Sequence, residues 1–301
     1  MSRAAVVLNP TKLDDDSAFR QSVRKAMAGH GWEEPLWLET TPEDPGLGQA
    51  KSAVSAGVDL VLACGGDGTV AACAEGVAGT GVPLGIIPLG TGNLLARNVG
   101  LPLDVQEALE VSLGGQQRAI DAGQVNGKLF VVMAGLGLDA QMLNATSEPL
   151  KKRLGWLAYA ISMVRHLGDR PMRVTVSADG GRPRRMRVSA LIVGNVGRLQ
   201  AGLPLLPEAE PDDGALDALA LVARGVTGWL AVAAHILLRR PAPGRVYRVQ
   251  FSELTVTVGH GQPWELDGEV MGVTRRLTVA ARPGCLLLRT PPAELVDPET
   301  G

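Results

Sequence analysis

The sequence is poor in the residues that build metal centres and covalent frameworks. Its 301 residues include three cysteines, Cys64, Cys73 and Cys285, and four histidines. The cysteines are odd in number and widely spaced, which excludes a disulfide framework and points to a reducing compartment. Neither residue type falls into zinc-ligand spacing. Aromatic residues make up only 3%, which argues against the base-stacking modules of nucleic-acid-binding proteins. The formal net charge is −2, so no global basic field draws the chain to a polyanion, and no nucleic-acid partner is expected. Long apolar runs are missing too. The longest, Trp229–Leu238, contains His235 and is about half of the roughly twenty residues a spanning helix needs, so the chain is not expected to be transmembrane. The first apolar run, Ala4–Leu8, is too short for a signal peptide and runs straight into Asn9-Pro10. A cytoplasmic location follows as the expectation.

What is present is a core-forming sequence rich in turns. Hydrophobic residues make up 46% and charged residues 20%, which excludes intrinsic disorder. Glycine (38) and proline (20) together are about a fifth of the chain, without a Gly-X-Y period. At roughly 150 residues per domain the length suggests two domains. The first third alternates strand and helix signals: strands at Ala4–Leu8, Pro35–Thr40, Val58–Ala63 and Leu84–Pro88, helices at Ser17–Ala28, Gln49–Ala56, Val70–Val77 and from Leu94. Short apolar runs alternating with helices predict βαβ units around a mainly parallel sheet. In such sheets ligands bind at loops beyond the carboxyl ends of strands. Asn9, Thr40/Thr41, Gly65–Thr69 and Gly90–Asn93 all occupy such ends.

Beyond Gly114-Gly115 strand signals dominate. They fall at Ala119–Val125, Leu129–Ala134, Met172–Ala178, Arg185–Gly194, Ala215–Val222, Val246–Phe251, Leu254–Val258 and Leu277–Ala281, many separated by turns such as Asn126-Gly127, Asp179-Gly180 and Asp267-Gly268. This pattern predicts an antiparallel β-sandwich, interrupted by helices near 149–167 and 227–238. The predicted domains are an α/β nucleotide-binding domain over 1–118, a β-sandwich substrate domain over 119–285, and a C-terminal segment, 286–301, that returns to the first domain or frays.

Two loops carry the chemistry. Gly65-Gly66-Asp67-Gly68-Thr69 joins a buried strand to a helix. Glycines there let the backbone approach a phosphate, and the helix start favours the anion. Asp67 repels phosphate, so it is read either as a holder of Mg²⁺, directly or through water, or as a plain Asp-Gly turn and cap. Pro88-Leu89-Gly90-Thr91-Gly92-Asn93 repeats the geometry on the next strand, with Thr91 and Asn93 as donors. No Gly-x4-Gly-Lys-Ser/Thr loop exists, and no Gly-x-Gly-x-x-Gly follows the first strand.

The two loops together resemble the catalytic region of the diacylglycerol kinase family, which includes bacterial soluble lipid kinases and the sphingosine and ceramide kinases. The resemblance continues through Asn9-Pro10, Ile120-Asp121-Ala122-Gly123, Gly135-Leu136-Gly137-Leu138-Asp139-Ala140, Pro207-Glu208-Ala209 with Asp212-Asp213-Gly214, and Leu266-Asp267-Gly268-Glu269. It implies a two-domain, NAD kinase/diacylglycerol kinase-like fold with ATP between an α/β domain and a β-sandwich. Asn9, Thr40 or Thr41, Gly65, Gly66, Asp67, Gly68, Thr69, Gly90, Thr91 and Asn93 would line the nucleotide. The family's acidic base maps to Glu269, with Asp267 as co-participant. A structural Mg²⁺ would be held by Asp213 and the carbonyls of Glu210 and Ala215. Many bacterial relatives have Asp where this chain has Leu94.

Read as residues alone, Asp267-Gly268-Glu269 is equally a hairpin turn with an exposed Glu. On a strand, Asp267 and Glu269 would face the same way and raise one pKa by repulsion. The expected activity is transfer of the ATP γ-phosphate to a lipid hydroxyl, most simply diacylglycerol to phosphatidic acid, at a membrane surface. Lys151-Lys152-Arg153 before Leu154–Val164 (with Trp156 and Tyr159), Arg182, Arg184, Arg185 and Arg187 on one hairpin, and Arg239-Arg240 suit an anionic surface or simply a solvated one. An NAD kinase-like activity and a catalytically degraded binding protein are the alternatives, and a homodimer is expected by analogy only.

Overall fold

The computed structural model describes residues 2–137, 171–199, 204–223, 225–238 and 244–292. The helix expected at 149–167, the motif residues 138–140, the basic run 151–153 and Arg239-Arg240 lie outside the described residues. The chain divides into two compact units, Met1–Ala122 with Pro283–Gly301, and Gly123–Arg282.

The first unit follows its apolar spacing closely. Strands β1 (Ala4–Leu8), β3 (Leu60–Gly65) and β4 (Leu84–Pro88) are buried at every residue, as strands covered on both faces must be. With β2 (Leu36–Glu39) they form a parallel sheet in the order β2-β1-β3-β4. Helix α1 (Asp16–Gly29) starts at Asp15, whose carboxylate accepts the Ala18 N–H at 3.0 Å, and buries Phe19, Val23 and Met27 at i, i+4 and i+8. Helix α5 (Val105–Gly114) is capped in the same way by Asp104. These two helices share one apolar cluster with β1 and β3. Helices α2 (Leu47–Ser55) and α3 (Asp67–Val77) pack against each other, and Gly76 leaves the room that Ala50 fills. Helix α3 begins at Asp67, three residues before the apolar spacing suggested, because the glycine loop itself supplies the first turn. Helix α4 (Leu94–Asn98) is a short single stretch.

In the second unit the antiparallel strands alternate around a core that includes Phe130, Val174, Leu191, Phe251, Trp264 and Leu277. They are β5 (Gln116–Val125), whose start belongs to the first unit, β6 (Lys128–Phe130), β7 (Met133–Leu136), β8 (Met172–Ala178), β9 (Arg184–Val188), β10 (Ala190–Gly194), β11 (Leu216–Leu221), β12 (Val246–Phe251), β13 (Glu253–Leu266) and β14 (Glu269–Thr290). The long β13 serves two pairings. Residues 254–258 pair with β8, and 264–266 pair with β7. An irregular register between Thr257 and Gln262 separates the two stretches. A second apolar cluster on β10 and β11 packs under Trp229 and Val232 of α6 (Gly225–Leu238).

Two strands expected as single runs are broken. Leu129–Ala134 divides into β6 and β7 because the Val131 and Val132 amides turn to a side chain described below. Arg185–Gly194 divides at Ser189, whose hydroxyl donates to the Ala223 carbonyl at 2.7 Å. The end of β14 returns to the first unit, where Leu288 pairs with Leu84 in parallel and the Gly284 N–H donates to the buried Asp121 carboxylate at 2.7 Å. Among the described residues no helix is long and apolar enough to cross a membrane.

Gly85 on β4 faces Leu62 and Ser112 so closely that an added Cβ would sit 2.6 Å from Leu62 Cδ2 and 2.7 Å from Ser112 Cβ. Gly85→Ala is therefore expected to lower the unfolding free energy by about 1–3 kcal/mol through overpacking, read as a drop in the urea midpoint at unchanged slope.

Candidate active site

The parallel order of the first unit sets β3 beside β1 and β4, so the loops leaving their carboxyl ends are neighbours. The loop after β3 holds Gly65-Gly66-Asp67-Gly68-Thr69, and the loop after β4 holds Gly90-Thr91-Gly92-Asn93. They touch backbone to backbone: a Cβ on Gly90 would stand 2.7 Å from Gly66 Cα, and one on Gly65 would strike the Thr69 side chain at 2.6 Å. Both glycines are thus required by space, independently of any ligand. The Leu89 N–H donates to the Gly65 carbonyl at 2.9 Å, extending the pairing into the loops.

Asp67 joins the loops. Its carboxylate accepts the Asn93 N–H at 3.0 Å and the Leu94 N–H at 2.5 Å. Asn93 sits in the left-handed region at φ 47 and closes its own loop, its Oδ1 accepting the Gly90 N–H and its Nδ2 donating to the Gly90 carbonyl. The sequence reading considered a turn or a metal for Asp67 and missed this bridge. It accounts for the carboxylate among anion-binding glycines, because its charge is spent on two amides. Leu94 takes part through its backbone N–H, which any residue supplies.

The remaining expected nucleotide residues surround these loops. Asn9 accepts the Thr11 N–H and hydroxyl through Oδ1, and its Nδ2 lies 3.4 Å from Thr69 Oγ1. Thr40 is buried at the end of β2 with its N–H on the Leu8 carbonyl, while exposed Thr41 accepts the Asp44 N–H. Gly68 is half-buried at the start of α3, and Thr91 is exposed. Lys12 is a residue the sequence reading passed over. Its Cε lies 4.0 Å from the position of a Gly66 Cβ, so an exposed ammonium group stands beside the glycine loop.

In the second unit the expected carboxylates separate into different roles. Asp267 is not on a strand. With φ 46, followed by Gly268 at φ 88, it forms a two-residue hairpin turn of the kind that Asp-Gly favours. The expectation that Asp267 and Glu269 share a strand face is corrected accordingly, since strand alternation does not run through a turn. The Asp267 carboxylate accepts the Val131, Val132 and Met133 amides, each at 2.9 Å, and its own N–H donates to the Met133 carbonyl. It anchors the hairpin to the start of β7. Glu269 opens β14 and is exposed.

The carboxyl near this turn whose pKa is raised is Glu265, which the sequence reading did not single out. Trp264 and Leu266 on either side face the core. Glu265 lies over Gly135, its Oε1 2.6 Å from where a Cβ would stand, and is 1% exposed. Its Oε2 meets no hydrogen-bond partner among the described residues. Burial, and then the charge of Asp267, push its pKa up to about 7. The only sequence signal was a charged residue between the apolar Trp264 and Leu266 near the end of β13.

The expected metal residues lie at the turn before β11. Asp213 accepts the Ala215 N–H at 3.0 Å and the Gln250 side-chain N–H at 2.7 Å, and Glu210 is exposed. Among the described residues no group of three or more His, Cys, Asp and Glu side chains is gathered for an ion. Nearby, the Asp217 carboxyl has its pKa pushed up, first by burial and then by repulsion from Asp213 and Glu208, with Arg248 opposing.

Comparison with known proteins assigns this architecture. The family model described as the diacylglycerol kinase catalytic domain matches residues 3–125, and the one described as the YegS C-terminal NAD kinase β-sandwich-like domain matches 131–290. A Pseudomonas syringae pv. tomato protein named "probable lipid kinase YegS-like" is 33% identical over 287 residues, covering 93% of this chain and 92% of that protein. A Bacillus subtilis protein named diacylglycerol kinase is 29% identical over 283 residues, with 91% of each chain covered. A crystal structure of a Bacillus anthracis diacylglycerol kinase superposes with a TM-score of 0.75 at 21% identity, covering 97% of this chain and 98% of that one, a likeness of fold. The chain belongs to the diacylglycerol kinase catalytic-domain family, with an N-terminal α/β domain and a C-terminal β-sandwich.

Asp67→Asn replaces one accepting oxygen by a donor facing an amide. It is expected to cost about 1–3 kcal/mol of stability, measured by chemical denaturation. Glu265 gives a pH signature. In the unfolded chain it titrates near 4.5 and in the fold near 7. The native state therefore holds the extra proton between those values, and stability falls as pH rises across them. Glu265→Gln removes this loss. The variant should match wild type near the lower value and exceed it above the upper one by on the order of 3 kcal/mol, read from denaturation midpoints across pH. An unchanged difference at all pH values would refute the assignment.

Proposed function

We propose that the protein is an ATP-dependent lipid kinase that transfers the γ-phosphate of ATP to a lipid hydroxyl, with diacylglycerol as acceptor and phosphatidic acid as product. The observation that carries this reading is the pair of glycine loops held in contact by Asp67, with the Lys12 ammonium beside them. A backbone surface poor in side chains, next to an ammonium group, suits a polyphosphate. The name of the Bacillus subtilis relative favours diacylglycerol as the acceptor.

In this reading Gly65, Gly66, Gly68 and Gly90 let the triphosphate approach the backbone. Asn9, Thr40, Thr41, Thr69, Thr91 and Asn93 supply polar groups around it, and Lys12 offsets its charge. The Glu269 carboxylate takes the proton of the acceptor hydroxyl. The alcohol oxygen then bonds to the γ-phosphorus as the bond to the bridging oxygen of ADP breaks. Asp267 acts by position, holding through three amides the turn that presents Glu269. Magnesium bound with ATP supplies neutralisation of charge on the transferring phosphoryl group. Asp67 retains lone pairs that can reach such an ion through water. Asp213, with the carbonyls of Glu210 and Ala215, would hold a structural ion. Phosphoryl transfer depends mainly on alignment and charge, so a misplaced base is costly.

The test is transfer of labelled phosphate from ATP to mixed-micelle diacylglycerol, ceramide and sphingosine, and to NAD, by wild type and Glu269→Ala. Labelled phosphatidic acid is expected, with a loss of roughly a hundredfold or more in the variant. Phosphorylation of NAD in place of lipid would overturn the acceptor class, and ATP binding without any product would overturn the enzyme.

A further inference from the structure

The outer face of one β-sheet in the second unit carries a cluster of arginines that no step above uses. The register sets Arg185 of β9 opposite Thr175 of β8, Thr175 opposite Thr257 of β13, and Thr257 opposite Arg276 of β14. In the next row Arg173 stands directly opposite Arg187. Core residues alternate with them: Val174, Val188, Val256 and Leu277 are buried in the sandwich interior. The four arginines therefore share the opposite face, and all four are exposed. Among the described residues none of them forms an ion pair. The nearest acid by register on that face, Glu253, lies two rows beyond Thr257.

Like charges directly opposite on a ladder are destabilising, so the fold gains nothing from Arg173 facing Arg187. A charged edge strand guards against edge pairing, and among the described residues β9 is such an edge. That explanation covers Arg185 and Arg187. It does not reach Arg173 or Arg276, which lie on strands paired to both sides. Beyond the irregular register of β13 and β14, the start of β14 exposes two apolar side chains, Val270 at 51% and Val273 at 73%. Arginines attract lipid phosphates, and exposed apolar side chains enter the headgroup boundary.

We propose that this arginine-bearing sheet face, flanked further along β14 by the exposed Val270 and Val273, is a docking surface for a bilayer rich in anionic phospholipid. The proposal deepens the lipid-kinase reading and rests on it for its purpose, but binding is read without ATP and stands or falls separately. The local cluster accounts for attraction that the net charge of −2 does not.

The experiment is co-sedimentation of the full chain with vesicles of phosphatidylcholine alone and of phosphatidylcholine mixed with phosphatidylglycerol, at low and high salt. The variants are the triple Arg173→Ala, Arg185→Ala, Arg187→Ala and the double Val270→Ser, Val273→Ser. Wild type is expected to bind only the anionic vesicles and to be released by salt. Each arginine contributes roughly fivefold, so the triple variant should bind about a hundredfold more weakly. Its thermal midpoint should be unchanged or raised, because repulsion has been relieved, whereas a structural role would lower it. The double variant should weaken the fraction that survives high salt. Triple-variant binding equal to wild type, equal wild-type binding to neutral vesicles, or no vesicle binding at all would each overturn the proposal. So would retention of a DNA oligonucleotide in place of vesicles. Kinase activity lost with vesicle binding intact would count against the proposed function and leave the docking surface standing.

Discussion

The contact between Gly66 and Gly90 is the constraint on which the first unit's site depends. The two strand-to-helix loops meet backbone to backbone because their strands are adjacent and parallel and because residue 90 carries no Cβ, which would stand 2.7 Å from Gly66 Cα. Once they meet, the first helical amides of α4 lie within reach of Asp67, which accepts two of them. That bridge ties together two segments over twenty residues apart. Asn9 and Thr69, near each other through their side chains, extend it toward β1. Rigidity matters because phosphoryl transfer gains most of its rate from alignment and fixed charge.

The second unit uses the same device at a different place. An aspartate in an Asp-Gly sequence again gives up its carboxylate to backbone amides, here three of them at the break between β6 and β7. The break and the turn explain each other: the Val131 and Val132 amides leave the strand ladder because Asp267 receives them. Concentrating that negative charge beside a buried strand has a consequence two residues away. Glu265, which burial already disfavours as an anion, is pushed further toward its neutral form by Asp267. An acid held this way is tolerated because Gly135 leaves space for it.

The family matches span the loops and the turn described above. The catalytic-domain match covers both glycine loops, and the sandwich match covers Asp267 and Glu269. Leu94 completes the Asp67 bridge through its backbone N–H. The architecture of the loops is therefore independent of that side chain.

Much of this was legible in the sequence because its signals are local. Buried strands such as Ala4–Leu8 and Leu84–Pro88 appear at their expected bounds, since a continuous apolar run closed by Asn-Pro or Pro-Leu-Gly leaves little freedom. The glycine loops stood out as punctuation between strand and helix. The Asp-Gly turn at 267–268 was readable as a hairpin from its dipeptide alone. Other features needed partners distant in sequence. Whether Asp67 meets a metal or an amide depends on where residues 93 and 94 fall, and the sheet order decides that. Lys12 reaches Gly66 only after β1 and β3 pair. Glu265 reads as an ordinary charge beside Trp264 and Leu266 until β7 and β14 flank it and remove its water. The sequence by itself determined which segments form strands, helices and tight turns, because those depend on backbone preference and apolar period. Tertiary structure alone decided which carboxylate holds amides, which is buried and which is exposed, because hydration and hydrogen-bond partners are properties of the assembled neighbours.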